Sequence, residues 1–444
     1  MKDSLAGLYL SRCVVLGTLC AVLAGSGPRL AAETSAAKVG ARQYLRSTNV
    51  SLYTDLSTLE ANALLERLEA TLDLVSAYWK RPLRGTIQCY VAEHLDNWHD
   101  RELPHPMARI LIGRVGGAAI AVRVVDAEKE SHKIVVLAAA RPGVAEHEVV
   151  HAYCGQTFGT TGPLWYREGM AQMLTSGHDV THGLVFPAEI QECLTADKKQ
   201  SLATVVQSGQ NVQQLCDSFD DKTTAHDGLV GLVPDSAWNE ADIQSLEDIK
   251  HTYAWSWLTC QLLEHNPNYR NRFQTLGRDY LVGRKETFSK HFSPVARELL
   301  FEYEFTVAHM TPGYRVDLCA WDWGKRIRRL TGNRPYRVRV DAARGYQASG
   351  LVVTAGESYD YKATGSWTAD ARDGATSADG RSQDRGRLEA VVMRDYQLSD
   401  PILLGCQGTF SAPGDGHLYL RCHDHWGQLS DNDGSIVVAL TPAK

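Results

Sequence analysis

The chain has 444 residues, 44 % of them apolar and 22 % charged, the balance of ordinary globular protein rather than of a disordered or membrane-embedded chain. That length exceeds what one hydrophobic core normally serves, so two domains are expected. With 46 basic and 52 acidic residues the net charge is −6, and no long basic block is present to neutralise a row of phosphates, which excludes nucleic acid as an expected partner.

The chain opens with Lys2 and Arg12, an apolar stretch from Cys13 to Gly25, and Ala31-Ala32 followed by Glu33. A positive start, a short apolar middle and small residues at its end predict a signal peptide over residues 1–32, with an uncleaved N-terminal anchor as the alternative. The stretch is short and broken by Gly and Ser, so no stable transmembrane anchor is expected, and the mature protein is read as exported: periplasmic, cell-surface or secreted. Eight cysteines follow the leader, none in a Cys-x-x-Cys pair, and in an oxidising compartment some of them are expected to form disulfides. Cys406 and Cys422 lie symmetrically about the turn 411–416, so a hairpin centred there would set them opposite each other; two buried free thiols are the alternative.

Apolar residues recur at helical spacing from Leu56 to Trp79 (Leu59, Leu64, Leu65, Leu68, Leu72, Val75) and predict a long amphipathic helix. Thr86 to Val91 and Lys133 to Ala138 read as strands, the second stopped by Arg141-Pro142-Gly143. A helix is then expected from Glu146 to Phe158, ended by the breakers between Gly159 and Pro163, with another starting near Leu164. Residues 177 to 247 are polar and show no clear pattern. Helical spacing returns from Tyr253 to His265, from Tyr269 to Tyr280 and from Pro294 to His309. Beyond Pro335 short β-like runs separated by Gly, Asp and Pro take over: Tyr336–Val340, Leu351–Thr354, Tyr359–Ala363, Leu388–Met393, His417–Leu420 and Ser435–Leu440. The expected fold class is α+β: a mostly helical domain with a small sheet over 45–312, a linker over 313–334, and an all-β sandwich over 335–444.

The helix at 146–158 carries His147-Glu148-Val149-Val150-His151, a His-Glu-x-x-His run. Histidines at i and i+4 share one helix face and can hold one Zn²⁺. Glu168 follows on the next predicted helix and can supply a third ligand, leaving a fourth position for water. Glu148 is then placed to take a proton from that water as it attacks a carbonyl and to return it to the leaving amine. A separate donor must stabilise the oxyanion; Tyr253 is the preferred candidate, with Tyr166 and His178 as rivals. Glu146 can orient a ligand histidine or stand as a solvated acid at the helix N-terminus, and Cys154 reads as core rather than ligand. Near the C-terminus, Asp424 and the stretch Gly427 to Ser435 crowd carboxylate and amide oxygens into one loop. Such hard oxygens suit Ca²⁺, although an Asp/Asn/Gly-rich turn needs no metal and the spacing is not that of an EF-hand.

His147 to His151 together with Glu168 in Trp165-Tyr166-Arg167-Glu168-Gly169-Met170-Ala171 resembles the gluzincin (peptidase MA-like) metallopeptidases. Tyr253-Ala254-Trp255-Ser256-Trp257 looks like the downstream helix of an exported branch of that clan. This resemblance covers residues 45 to 310 and implies a zincin-like fold in which His147, His151 and Glu168 bind zinc, Glu148 is the catalytic base, and the substrate is a peptide or protein. Gly356-Glu357-Ser358, Ala363-Thr364-Gly365-Ser366-Trp367 and the loop from Asp424 to Ser435 resemble the calcium-dependent galactose-binding bacterial lectins, over residues 335 to 442. That second resemblance implies calcium held by Asp424, the Gln428 carbonyl, Asp431, Asn432 and a carbonyl near Ala369 or Asp370, with a glycan completing the metal shell. The loop from Asp373 to Arg385 departs from the lectin pattern where sugar specificity is set. Together these readings describe an exported zinc-dependent peptidase with a glycan-targeting module. The alternative is a non-catalytic carbohydrate-binding or envelope protein on a degenerate zincin scaffold, against which the intact Glu148 stands.

Overall fold

A computed structural model describes residues 42–126, 129–176, 181–195, 199–207, 240–284, 287–332 and 334–443. The predicted signal peptide, His178 and Cys216 lie outside the described residues. Both helices and sheets are present, as an α+β class requires, and the chain divides into two compact units: Met1–Ser176 with Ala188–Trp257 and Gly277–Lys285, and Gly177–Pro187 with Leu258–Leu276 and Glu286–Lys444.

The first unit is built on a five-stranded sheet of β1 (Gln43–Arg46), β2 (Val50–Thr54), β3 (Ile87–Ala92), β4 (Gly117–Asp126) and β5 (Lys129–Ala139), in the order β1-β2-β3-β5-β4. β2, β3 and β5 run parallel, and the outer strands β1 and β4 pair antiparallel to their neighbours. Alternation places Val50 and Leu52 of β2 with Ile87, Cys89 and Val91 of β3 among the buried residues, while Tyr53 and Tyr90 stack at 4.6 Å between centroids on the other set of positions. The first helix, α1 (Thr58–Trp79), starts at a capping box between Ser57 and Glu60 and buries Ala61, Leu64, Leu68, Leu72, Val75 and Trp79. Leu59, counted in the predicted apolar stripe, is instead 81 % exposed.

Helix α2 (Val144–Phe158) is bounded at both ends by glycines with positive φ, Gly143 at 83° and Gly159 at 82°. Almost all of it is buried, because β3, β4, β5 and α1 all pack around it. Its polar residues therefore have no solvent face to occupy. Close approach of β4 depends on Gly117: a Cβ there would sit 2.8 Å from Val144 Cγ1, 3.0 Å from Glu148 Cγ and 3.2 Å from the Leu137 carbonyl oxygen. Helix α3 (Leu164–Ser176) follows after a short connection and packs on α2. Two short helices, α4 (Ala188–Thr195) and α5 (Leu202–Gln207), lie in the stretch without sequence pattern. Helix α6 (Glu240–His265) begins earlier than Tyr253, and its residues up to Trp257 belong to the first unit.

The second unit takes the rest of α6 and most of α7 (Arg270–Leu281), then α8 (Phe288–Phe292), α9 (Ala296–His309) and the β-rich C-terminal part. A four-stranded antiparallel sheet has the order β10 (Gln407–Ser411), β8 (Ser358–Thr368), β12 (Asp433–Pro442), β6 (Tyr336–Asp341). A second sheet centres on β9 (Leu388–Arg394), β11 (Gly416–Cys422) and β7 (Gln347–Val353), extended by two-residue strands at 328–329, 397–398 and 402–403. Val340, Trp367, Ile436 and Val438 of the first sheet share one core with Leu351, Ala390, Leu418 and Leu420 of the second. A further cluster joins Phe301 and Phe305 of α9 and Trp321 to Val391, Met393 and Tyr419 of the second sheet. The buried Glu302 carboxylate fastens that layer, accepting hydrogen bonds from Tyr269 Oη (2.8 Å), Asn268 Nδ2 (3.0 Å) and Trp323 Nε1 (2.6 Å).

The expected Cys406–Cys422 hairpin does not form. Cys422 ends β11 and pairs with Leu388, whereas the strand after Cys406 is β10 in the other sheet, so the chain crosses between sheets at 411–416 instead of folding back. All seven described cysteines are free, in place of the expected disulfides. Among the described residues no helix is long and apolar enough to cross a membrane.

Gly117→Ala is expected to destabilise the protein by ~1–3 kcal/mol through overpacking between β4 and α2. Urea unfolding of Gly117→Ala, Val144→Ala and the double variant measures it; the double variant should lose less than the sum of the two single losses.

Candidate metal centre

α2 places His147 and His151 one turn apart on the face turned toward α3, and α3 returns Glu168 to the same point. All three are buried, with Glu168 at 0 % exposure. His147 Nε2 and His151 Nε2 are 3.0 Å apart, and Glu168 Oε2 lies 3.3 Å from the first and 3.4 Å from the second. Four-coordinate metal sites with bonds of about 2.0–2.1 Å set neighbouring ligand atoms about 3.3 Å apart. The triangle thus has the dimensions of three corners of such a site, and among the described residues it is the one group of its kind that can hold a metal ion.

Protonation favours the same use. Burial pushes His151 down to about 4, against the pull of the neighbouring Glu168 charge, so the imidazole is neutral near pH 7. Burial also pushes the Glu168 carboxyl up, but the electrostatic interaction with His151, the hydrogen bonds from both imidazoles and Arg167 outweigh it and hold the group well below the usual carboxylate range. A neutral imidazole at His151 and an ionised carboxylate at Glu168 are the forms that bind metal.

Glu148 is buried at 0 % exposure on the same helix, beside the Gly117 backbone. Tyr253 of α6 stacks near His147, with ring centroids 6.5 Å apart and planes inclined by 19°. Tyr166 is placed differently: its hydroxyl meets Trp79 Nε1 at 3.3 Å and its ring packs against Tyr280 and Gly277, a core position. Glu146 turns away from the role of orienting a ligand. Its Oε1 accepts from Arg67 Nε on α1 at 2.7 Å, and its Oε2 makes no hydrogen bond. His147 Nδ1 is likewise buried without a partner. Cys154 is buried, with its thiol pushed up by burial, and is core as expected. Sequence inspection passed over Arg167, whose Nε donates to Glu168 Oε1 at 2.7 Å; its place directly before a ligand was the available signal.

In the second unit the structure places Asp424 and Asn432 at buried positions and Gln428 and Asp431 at exposed ones. Asp424 Oδ1 accepts from the His425 amide at 2.8 Å, while Asp424 Oδ2 and Asn432 Oδ1 are buried and make no hydrogen bond. Burial raises the Asp424 carboxyl above its ordinary range despite the His425 amide, the Asn432 side chain and Arg385. Arg421 fixes the loop's entry: it donates to Glu389 Oε1 at 3.1 Å and to the Asp424 carbonyl at 3.1 Å, with its guanidinium 3.9 Å from the centre of the Trp426 ring. The Asp370 carboxylate, which the expected site does not use, is taken by Arg372 Nη2 at 2.7 Å and Arg385 Nη1 at 2.9 Å.

No family model matches the chain, and no curated protein matches it. Solved structures give distant likenesses. The N-terminal domain of EclA, a PllA-like lectin, is 22 % identical over 26 % of this chain and 100 % of its own, with a TM-score of 0.22. PliG of Aeromonas hydrophila, a periplasmic inhibitor of g-type lysozyme, is 10 % identical over 27 % of this chain and 98 % of its own, with a TM-score of 0.17. The IMPa metallopeptidase of Pseudomonas aeruginosa is 14 % identical over 52 % of this chain and 27 % of its own, with a TM-score of 0.16. At these scores none of them carries weight for the fold or the chemistry of this chain, which rest on its own residues.

Proposed function

We propose that the protein is an exported zinc-dependent peptidase of zincin-like fold, with His147, His151 and Glu168 as the metal ligands. The observation that carries the reading is the buried triangle of Nε2, Nε2 and Oε2 atoms at 3.0–3.4 Å. Two nitrogen donors and one carboxylate oxygen with a corner left open are the donor set of a catalytic rather than a structural zinc. Zinc held there would acidify a water molecule and polarise a peptide carbonyl.

The protein's own groups do the remaining work. Glu148, held on the helix between the two histidines and fixed beside Gly117, receives the proton of the attacking water and hands it to the departing amine. Tyr253 lies within reach of the same region from α6 and would donate its hydroxyl hydrogen bond to the carbonyl oxygen as negative charge develops there. Burial of α2 around His147, Glu148 and His151 keeps bulk water from solvating the carboxylates, which strengthens each of these interactions.

The C-terminal β unit, residues 335–444, is read as a lectin-like sandwich that binds calcium through Asp424, Gln428, Asp431 and Asn432 and directs the enzyme to glycan. Support comes from the two buried oxygens, Asp424 Oδ2 and Asn432 Oδ1, which make no hydrogen bond within 3.5 Å. A hard divalent cation meets that need.

Glu148→Gln should retain zinc, measured by mass spectrometry of metal content, and lose roughly 10²- to 10⁴-fold in peptide-cleavage rate, measured on a mixed peptide library. Zinc-loaded wild type that cleaves nothing, or a Gln variant as active as wild type, contradicts the peptidase reading. For the β unit, millimolar calcium should raise the thermal midpoint of wild type and leave that of Asp424→Asn unmoved. A wild-type midpoint indifferent to calcium removes the calcium site.

A further inference from the structure

The metal-site reading leaves one strong interaction unused: the guanidinium of Arg167 on the carboxylate oxygen of Glu168 that faces away from the histidines. The two oxygens of Glu168 are differently engaged, Oε2 at 3.3 and 3.4 Å from the imidazole nitrogens and Oε1 at 2.7 Å from Arg167 Nε. Consecutive residues on a helix point about 100° apart and do not normally face each other. Here the arginine stem folds back over its neighbour, and its side chain is only 11 % exposed although it carries a full charge. A cation is buried to that degree when its partner is fixed and ionised.

We infer that Arg167 is a positioning residue for the metal centre, holding Glu168 to single-oxygen ligation so that the fourth corner stays open for water. A carboxylate can ligate through one oxygen or two, and a zinc ion accepts either. If Oε1 were free, a small rotation of the carboxylate would bring it onto the ion and occupy the corner that water needs. The Arg167 bond removes that choice, because Oε1 cannot turn without breaking a charge-assisted hydrogen bond in a buried site. The same bond fixes the rotation of the Glu168 side chain before metal arrives, so less ordering remains to be done on binding. An opposing effect exists, since a guanidinium near a dication repels it. Preorganisation is expected to win, as partners of metal-ligating side chains usually contribute 10- to 100-fold in metal affinity.

This inference rests on the metal reading above, and the two fail differently. Zinc affinity is measured by chelator competition on the full chain for wild type, Arg167→Met and Arg167→Lys, with the visible spectrum of each cobalt-substituted protein. Wild type should bind one zinc and give the intense cobalt bands of four-coordination. Arg167→Met should bind about 10- to 100-fold more weakly and give the weaker bands of a five-coordinate ion. Arg167→Lys, which keeps the charge and a donor, should recover part of both losses. Wild type that binds no zinc sinks the metal reading itself. A normal wild-type site with Arg167→Met equal to it in affinity and spectrum overturns only the role of Arg167. Equal losses in Met and Lys would also overturn it, by assigning the effect to side-chain shape instead of the bond. Should Arg167→Met fail to fold, as judged by circular dichroism of the metal-free protein, the Lys variant decides: zinc binding weaker than wild type with cobalt bands weakened toward those of a five-coordinate ion supports the role, and wild-type affinity and spectrum overturn it.

Discussion

Two imidazole nitrogens and one carboxylate oxygen are aimed at a single buried point, with no solvent to separate them. Lone pairs so arranged repel one another unless a proton or a cation lies between them. One proton can lie between only two of the three atoms, whereas a metal ion at the centre would meet all three. The surrounding fold can be understood as what keeps this unfavourable convergence in place. α2 is gripped by three strands and α1; Gly117 lets β4 approach without a side chain; and Arg167 supplies the compensating charge on the far side of Glu168.

Much of that centre was legible in the sequence because its geometry is local. Histidines four apart on a helix must share a face, whatever else the chain does, and the breakers between Gly159 and Pro163 end that helix, so Glu168 comes on a separate one. What could not be read depends on contacts distant in sequence. Arg67 claims Glu146 from a helix 79 residues away, so the acid beside the motif is bound to α1 rather than to a ligand histidine. Strand β4 was missed although its Ile120, Val122, Val124 and Val125 are β-branched; its opening Gly117 serves the packing against α2. The short strand β10, Gln-Gly-Thr-Phe-Ser, has only Thr409 and Phe410 to mark it.

The β region shows the same division between local and distant information. Alternation along β6, β8 and β12 marked strands correctly, but the sheet to which each strand belongs is a tertiary matter. The Cys406–Cys422 expectation assumed that neighbouring strands form a hairpin, and the chain instead changes sheet at that turn. Of the aromatic layer, Phe301 and Phe305 were expected in the helical domain and Trp321 in the linker over 313–334, because helical spacing alone does not say which sheet a helix covers. Glu302 makes that attachment specific by accepting hydrogen bonds from residues on both sides of the layer.

The account turns on what fills the triangle between His147, His151 and Glu168. X-ray absorption at the zinc edge, on wild-type protein purified without chelator, reads this directly. The expected result is one zinc per chain with only nitrogen and oxygen neighbours at about 2.0–2.1 Å, four in number, and the imidazole scattering of two histidines. Protein without zinc, or zinc with sulfur neighbours near 2.3 Å, would contradict the account.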